Sequence, residues 1–192
     1  MPRFFGRFVI GAGALLIAAT AQAQGTANAP TRPWKIGGAL GATIPVGDFS
    51  DHGELGWHLG GLFEYKQPSL PLTWRGEITY HRNGLDEGAF TEFPDRSGHA
   101  SVLDLAGNAL FPFGDAASKA RPYVIAGIGV YHASSSADLP SGNSVSRSDT
   151  NFGINLGGGF NFTLSGFETF AELRYHIVSK TSIIPISFGF KF

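Results

Sequence analysis

Eight charged side chains occupy the polar positions of segments in which polar and apolar residues alternate. Because both signs occur, these side chains can neutralise one another if the fold gathers them on one surface. Unpaired charges in a low-dielectric interior are costly, so we expect a network in which Arg75 and Arg174 pair with the carboxylates. The predicted network consists of Lys35, Glu64, Arg75, Glu77, Asp104, Glu168, Glu172 and Arg174.

A second pattern with chemical potential is YHASSS, which places His132 and Ser134 two residues apart. A histidine can activate a serine nucleophile when an acid orients it, and Asp138 and Asp149 are the candidates for that acid. A histidine beside a run of serines is also common in polar loops. The sequence leaves open whether His132 and Ser134 have any role.

No other pattern indicates a catalytic or cofactor site. The six histidines are scattered without metal-ligand spacing, and there is no cysteine for thiolate chemistry. The glycine-rich stretches GGALGATIPVG and GINLGGGF lie inside predicted strands and do not form strand-to-helix phosphate loops. A net charge of −1 gives no reason to expect a nucleic-acid partner. We therefore expect no cofactor, no metal and no nucleic acid.

The N-terminus has the organisation of a secretory signal peptide over residues 1–23. Arg3 and Arg7 precede the apolar run FVIGAGALLIAAT, and the small-residue pattern AQA follows it. The run is shorter than the roughly 20 residues that a membrane-spanning helix needs. Residues 24–33 form a flexible leader, and residues 34–192 are predicted to be one folded domain that is exported after cleavage.

The elements that must position the charged residues are predicted to be β-strands. Alternation of apolar and polar residues recurs between turn signals, and 27 glycines with 17 phenylalanines favour short strands over helices. In residues 123–131 both the odd-numbered and the even-numbered positions (the two parities) are apolar, so the sequence does not show which of them lie on the same side as the charged residues of the other strands. The predicted strands are 34–46, 57–65, 72–80, 99–111, 123–131, 151–162, 167–177 and 182–192.

The alternation fits either a soluble all-β fold or a membrane barrel, because periodicity does not say which solvent faces the apolar side. In a membrane barrel the apolar side faces lipid and the charges fill the lumen. Two observations favour lipid: most of the predicted strands have 9–12 residues, which can cross a roughly 25 Å apolar band, and aromatic residues concentrate at strand ends. Those aromatics are Trp34, Trp57, Tyr65, Trp74, Tyr80, Phe111, Tyr175 and Phe192. The predicted fold is an all-β, eight-stranded antiparallel up-and-down transmembrane β-barrel.

The chain resembles the bacterial outer-membrane β-barrel domain family, the OmpA/OmpX-type eight-stranded barrels, which are porin-like in architecture. The resemblance rests on IGGALGATIPVGDFSD, GWHLGGLFEY, SVLDLAGNALFPF, RPYVIAGIGVY and FAELRYH with IIPISFGFKF. It implies a location in the cell outer membrane, contact with outer-membrane lipid, and both termini in the periplasm. It also implies that Phe188, Phe190 and Phe192 form a C-terminal assembly signal that the barrel-assembly machinery reads. It implies no catalytic residues.

The expected function is therefore non-enzymatic, with a structural or surface-interaction role such as adhesion. An eight-stranded lumen is just wide enough for side chains to fill it, so paired charges are expected there. The predicted loops 47–55, 82–98 and 132–149 would carry any extracellular ligand. Narrow-pore transport of small solutes or ions is the alternative. A weaker one is a lipid A-modifying barrel enzyme, because the His132 and Ser134 spacing resembles the His-x-Ser pair of outer-membrane lipid A deacylases.

Overall fold

The computed structural model describes residues 32–85, 98–115, 118–138, 144–164 and 167–192. Eight strands pair in sequence order, each antiparallel to the next, and β1 pairs with β8 to close a barrel. A short 3-10 helix, Gly47–Asp51, connects β1 to β2. The strands are β1 Trp34–Pro45, β2 Gly53–Lys66, β3 Thr73–Leu85, β4 Gly98–Pro112, β5 Ala120–Asp138, β6 Ser144–Leu164, β7 Phe167–Val178 and β8 Ile183–Lys191. The predicted fold class is confirmed.

Side chains on each strand alternate between the barrel interior and the outside, and the apolar parity faces out. Leu105 and Ile128 are 64% and 70% exposed, whereas the neighbouring inward Asp104 is fully buried. A water-soluble protein would show the opposite distribution. The predicted end-of-strand aromatics all lie on the outward parity, and all but Tyr80 are exposed. The outer surface is thus built for a lipid solvent.

The facing of β5 follows from the barrel and was not predictable from its residues. Tyr123, Ile125 and Tyr131 are buried inside, and Val124 and Ile128 are exposed outside. Among the described residues, no helix is long and apolar enough to cross a bilayer. The predicted signal peptide over residues 1–23 and the leader up to residue 31 lie outside the described residues.

The predicted loop boundaries need correction, because the strands extend into all three loops. Strand β2 begins at Gly53 rather than residue 57, β3 continues to Leu85, and β4 begins at Gly98. Most of the predicted loop 132–149 is strand, since β5 runs to Asp138 and β6 starts at Ser144. The apolar alternation ends where the lipid ends, but ladder hydrogen bonds need only backbone groups. Polar residues therefore continue the strands beyond the apolar band.

These extensions make the barrel wall uneven in height. Pairing between β5 and β6 reaches Asp138 and Ser144, whereas pairing between β6 and β7 begins only at Gly153 and Val178. Strands β3 to β6 therefore form a sheet that protrudes at the end of the barrel opposite the start of β1 and the end of β8. We call these extensions the protruding sheet: residues 82–85, 98–101, 132–138 and 144–152.

Strand β8 contains a proline, Pro185, within the barrel wall. Pairing with β7 runs from Lys191 to Ile186 and resumes at Ile183, at the same offset. Pro185 lies in the interruption, since it has no N–H to donate to the ladder. The proline breaks pairing with β7 without shifting the register, and Pro185 remains aligned with Thr43 of β1.

Candidate functional site

The barrel interior gathers four of the predicted charged residues, Glu64, Glu77, Glu172 and Arg174, around Arg75 of β3, which is almost fully buried. Its Nε and Nη2 donate to Glu64 Oε1 at 2.9 and 2.8 Å, and its Nη1 donates to Glu172 Oε2 at 2.7 Å. The planar guanidinium can bind both carboxylates, because its N–H donors point in different directions within one plane. Arg75 thereby joins β2 to β7 across the lumen.

Arg174 of β7 forms the second centre of the network. It binds Glu77 of β3, and its Nε lies 2.9 Å from Glu172 Oε1. Tyr123 adds a hydroxyl that donates to Glu172 Oε2 at 2.6 Å. Two arginines and their carboxylates therefore bridge opposite walls of the barrel at mid-height.

Lysines complete the network toward the end of the barrel that carries the termini. Lys191 Nζ donates to Glu64 Oε2 at 3.0 Å, lies 2.9 Å from Glu168 Oε1, and donates to Asn161 Oδ1 at 2.8 Å. Lys35 binds Glu168 at the more exposed rim. The sequence predicts an arginine as the partner of Glu168, and this prediction is wrong: Glu168 pairs with Lys35 and Lys191. Lys191 was not predicted as a member, although its position on the polar parity of β8 was a usable signal.

Asp104 does not pair with an arginine either. Its Oδ2 lies 2.8 Å from His81 Nε2, and a continuous chain of hydrogen bonds leads onward. Thr43 Oγ1 bonds His81 Nδ1 at 2.9 Å and His58 Nδ1 at 3.0 Å. His58 Nε2 bonds Ser187 Oγ at 2.9 Å. Sequence reasoning missed this chain because its members come from five different strands, and only their shared inward parity marks them.

The lumen of the described barrel is filled. Between the arginine network and the histidine chain lies a small space of about 10 Å³, enough for one water molecule. Apolar side chains pack on one another at two further places. One cluster is Val102, Tyr131 and Val178; the other is Leu110, Tyr123 and Ile125. The interior is packed as a protein core and leaves no wide aqueous channel along the described strands.

The predicted His132 and Ser134 pair lies elsewhere, on the outer face of the protruding sheet. His132 Nδ1 bonds Thr150 Oγ1 at 2.8 Å. Asp149 aligns with Ala133, the neighbour of His132, so its side chain lies on the opposite face of the sheet. The structure does not bring Asp149 to this pair, and the side chain of Asp138 is not described. No group of three metal-ligating side chains occurs in the part of the chain that the structure describes.

The three C-terminal phenylalanines all face outward and are exposed. Phe190 and Phe192 stack with ring centroids 6.3 Å apart. The last residue is also held by backbone bonds: Phe192 N donates to Ile36 O at 3.0 Å, and Ile36 N donates to Phe192 O at 3.1 Å. The chain end is therefore part of the closed sheet.

Comparison with solved structures finds the same fold at low sequence identity. The Neisserial surface protein A, NspA, is 17% identical, with a TM-score of 0.60 over 83% of this chain and 96% of that chain. A major outer membrane protein of Thermus thermophilus is 15% identical, with a TM-score of 0.62 over 83% and 98%. Ail of Yersinia pestis, solved with the heparin analogue sucrose octasulfate, is 20% identical, with a TM-score of 0.50 over 83% and 96%.

No curated protein sequence is similar enough to this chain to count as a relative. The family pattern described as the outer membrane protein beta-barrel domain, by contrast, matches residues 11–192. That match covers nearly the whole chain and agrees with a closed barrel whose outer surface is apolar and whose charges are inside. This protein belongs to the outer membrane protein beta-barrel domain family, which indicates the outer membrane as its location.

Proposed function

We propose that this barrel is a non-enzymatic surface-interaction protein whose binding region is the protruding sheet. The observation that carries the proposal is the length of β5 and β6, which have 19 and 21 residues where 9–11 suffice to cross a bilayer. With both termini in the periplasm, as the family resemblance implies, this sheet stands outside the cell. Regular backbone above the membrane offers a stable surface that an irregular loop would lack.

The filled lumen supports the same conclusion. Arg75, Arg174 and their carboxylates link facing walls, and side chains occupy the space that a transported solute would need. In this proposal the network stabilises the barrel and the sheet does the binding. No reaction is assigned to His132 and Ser134, so overexpression is expected to leave the mass spectrum of lipid A unchanged.

The proposal is tested by shortening the protruding sheet without touching the barrel. Ala133 and Asp149 are aligned across β5 and β6, so residues 134–148 can be replaced by Asn-Gly, which closes a two-residue hairpin. Cells displaying the intact or shortened protein are compared for binding to epithelial cells, extracellular matrix and heparin. Heparin is included because the similar Ail barrel was solved with a heparin analogue.

We expect the intact protein to bind at least one of these surfaces and the shortened protein to lose that binding. Folding of both is checked by heat-modifiable migration on gels. Equal binding by two folded proteins, or no binding by either, would contradict the proposal.

Narrow-pore transport is the second candidate. One observation favours it: the inward polar atoms of Asn108 and His176 have no hydrogen-bond partner among the described residues. Such atoms need water, and a file of water could carry small ions past the network. Planar-bilayer recording of the purified barrel decides the question. Reproducible conductance steps would support transport. If no steps occur, the surface role remains as the single proposed function.

A further inference from the structure

The protruding sheet ends in an unpaired strand edge. Residues 144–152 of β6 align with β5 from Asp138 to Val130, and no described residue pairs with their other side. Nine residues is longer than a typical strand in a globular protein, which has about 5–6. A strand edge with free N–H and C=O groups is a template for pairing with another strand. The question is which strand it fits.

Two charged residues on this edge point to the answer. Arg147 and Asp149 are both exposed, and their spacing of two puts them on one face of β6. They align with Ser135 and Ala133 of β5, so that strand supplies no opposite charge. Arg147 forms no hydrogen bond or ion pair with any described residue. Among the described residues, Asp149 accepts only from the nearby Thr150 N and Asn151 Nδ2, at 2.9 and 3.2 Å.

The segment is complementary to itself. If two copies pair antiparallel about a twofold axis at Ser148, Arg147 of each copy lies directly opposite Asp149 of the other. Two opposite-charge cross-strand pairs then form, and each contributes favourably. If two copies pair parallel and in register, Arg147 faces Arg147 and Asp149 faces Asp149, which is unfavourable. The order of charges therefore selects the antiparallel arrangement.

Antiparallel pairing also determines where the second copy is. Strand β6 runs from the protruding end of the barrel toward the end that carries the termini. A second copy whose β6 runs the opposite way must point its protruding end at the first, so the two barrels lie in facing membranes. Two barrels side by side in one membrane have β6 strands that run the same way along the membrane normal.

We propose that the β6 edge pairs with the β6 edge of a second copy of this chain in an apposed membrane, which makes the protein a self-associating surface adhesin. This inference rests on the proposed surface-interaction function and names its partner. One pair of nine-residue edges is a small contact, below the roughly 1,200 Å² of a stable interface. Many copies on two apposed membranes act together, so avidity supplies the strength.

Vesicle clustering tests the charge complementarity. The purified barrel is reconstituted into uncharged phosphatidylcholine vesicles with the protruding end outward, and clustering is followed by light scattering. We expect the native protein to cluster vesicles. Arg147→Asp and Asp149→Arg each place like charges opposite one another, so each should lower clustering about ten-fold. The double variant Arg147→Asp with Asp149→Arg restores both pairs and should cluster vesicles like the native protein.

Cysteine cross-linking tests the register. The chain has no cysteine, so a single introduced cysteine can form a disulfide only with the same cysteine of a second copy. Ser148→Cys places the two sulfurs on the twofold axis, and a disulfide should form when two differently tagged vesicle populations are mixed. Ser146→Cys is the matched control, because its two copies are four positions apart along the paired strands, roughly 13 Å. That distance is too long for a disulfide.

The outcomes separate this inference from the proposed function. Clustering that is the same for the charge variants as for the native protein, but is lost when residues 134–148 are replaced, would overturn edge-to-edge pairing. It would leave a surface role intact. A double variant that fails to cluster, or Ser148→Cys disulfides that form only within one vesicle population, would also overturn it. Clustering that survives removal of residues 134–148 would count against both proposals.

Discussion

At the scale of single residues, Arg75 is the centre of the interior. Its side chain is enclosed by the carboxylates of Glu64 and Glu172 and by the ring of Phe170, whose centroid lies 4.9 Å from the guanidinium carbon. A lysine could not reproduce this arrangement, because an ammonium group lacks the planar fork and stacks less well on a ring. The buried charge is tolerated since three of its N–H groups donate to carboxylates and the guanidinium carbon lies over the ring of Phe170.

We predict that Arg75→Gln lowers the free energy of unfolding by about 3–5 kcal/mol, because it leaves buried carboxylates without their partner. Lys35→Gln is the matched control. Lys35 is paired with Glu168, but its side chain is 40% exposed, so the loss should be below about 1 kcal/mol. Urea titration of the barrel in phospholipid vesicles measures both. Similar losses for the two variants would show that burial of the network does not matter.

At the scale of elements, β1 separates two strands whose side chains meet across it. His58 of β2 and Ser187 of β8 are both aligned with Gly41 and bond one another over it. A Cβ on Gly41 would lie 1.9 Å from Ile186 O and 2.8 Å from His58 Cε1. The glycine is needed here for close approach, and it lets β8, β1 and β2 act as one unit where the barrel closes.

Strand β6 is predicted to behave as two elements in hydrogen exchange. Residues 153–162 pair with strands on both sides, so all their amides should be protected. In residues 144–152 only every second N–H points at β5, and the others should exchange rapidly. Residue-resolved exchange of the dilute barrel in micelles, where copies do not meet, measures this. Uniform protection of residues 144–152 would mean that another segment covers the edge.

At the scale of the whole molecule, the solvent arrangement is inverted relative to a soluble protein. The exterior is apolar and needs no protein partner because lipid covers it, and the polar interior is held by ion pairs and hydrogen bonds. Closure through β1 and β8 removes the barrel's own edges within the membrane. The edge at residues 144–152, with which no described residue pairs, is an exception, and it lies in the protruding sheet beyond the closed part of the barrel.

The C-terminal assembly signal stays a prediction, and it belongs to this scale because it concerns how the whole barrel is built. We expect Phe192→Ala to lower the amount of folded barrel in the outer membrane several-fold, since the assembly machinery is expected to read the terminal aromatic. Phe152→Ala is the control, because Phe152 is also an outward phenylalanine, 85% exposed, but lies far from the C-terminus.

The two Phe→Ala variants should differ in stability by no more than about 1 kcal/mol when refolded in vitro, because the bonds of Phe192 to Ile36 use backbone atoms and only its ring stack on Phe190 is lost. Heat-modifiable migration of membrane fractions measures assembly, and urea titration measures stability. Equal amounts of folded barrel for both variants would show that Phe192 is not part of an assembly signal.

Much of this protein could be read from its residues. The period of two, the strand-end aromatics and the mixed charges on one parity predict eight strands, a lipid-facing exterior and a charged interior. These are local properties, and each strand carries them independently. The pairing partners of Asp104 and Glu168 could not be read in this way. Partners across a lumen depend on barrel shear and strand alignment, which no single segment encodes.

What the sequence by itself determined is the strand pattern, from side-chain polarity repeated along each strand. The strand lengths and the strand-end aromatics, and not the alternation, then favoured lipid as the solvent of the apolar face. Only the tertiary structure decided the facing of β5, the histidine chain through Thr43 and the height of the wall. These depend on which strands are neighbours and where their pairing stops. A polar segment such as residues 144–150 carries no apolar pattern, so only its alignment with β5 shows that it is a strand, and no described residue pairs with its other edge.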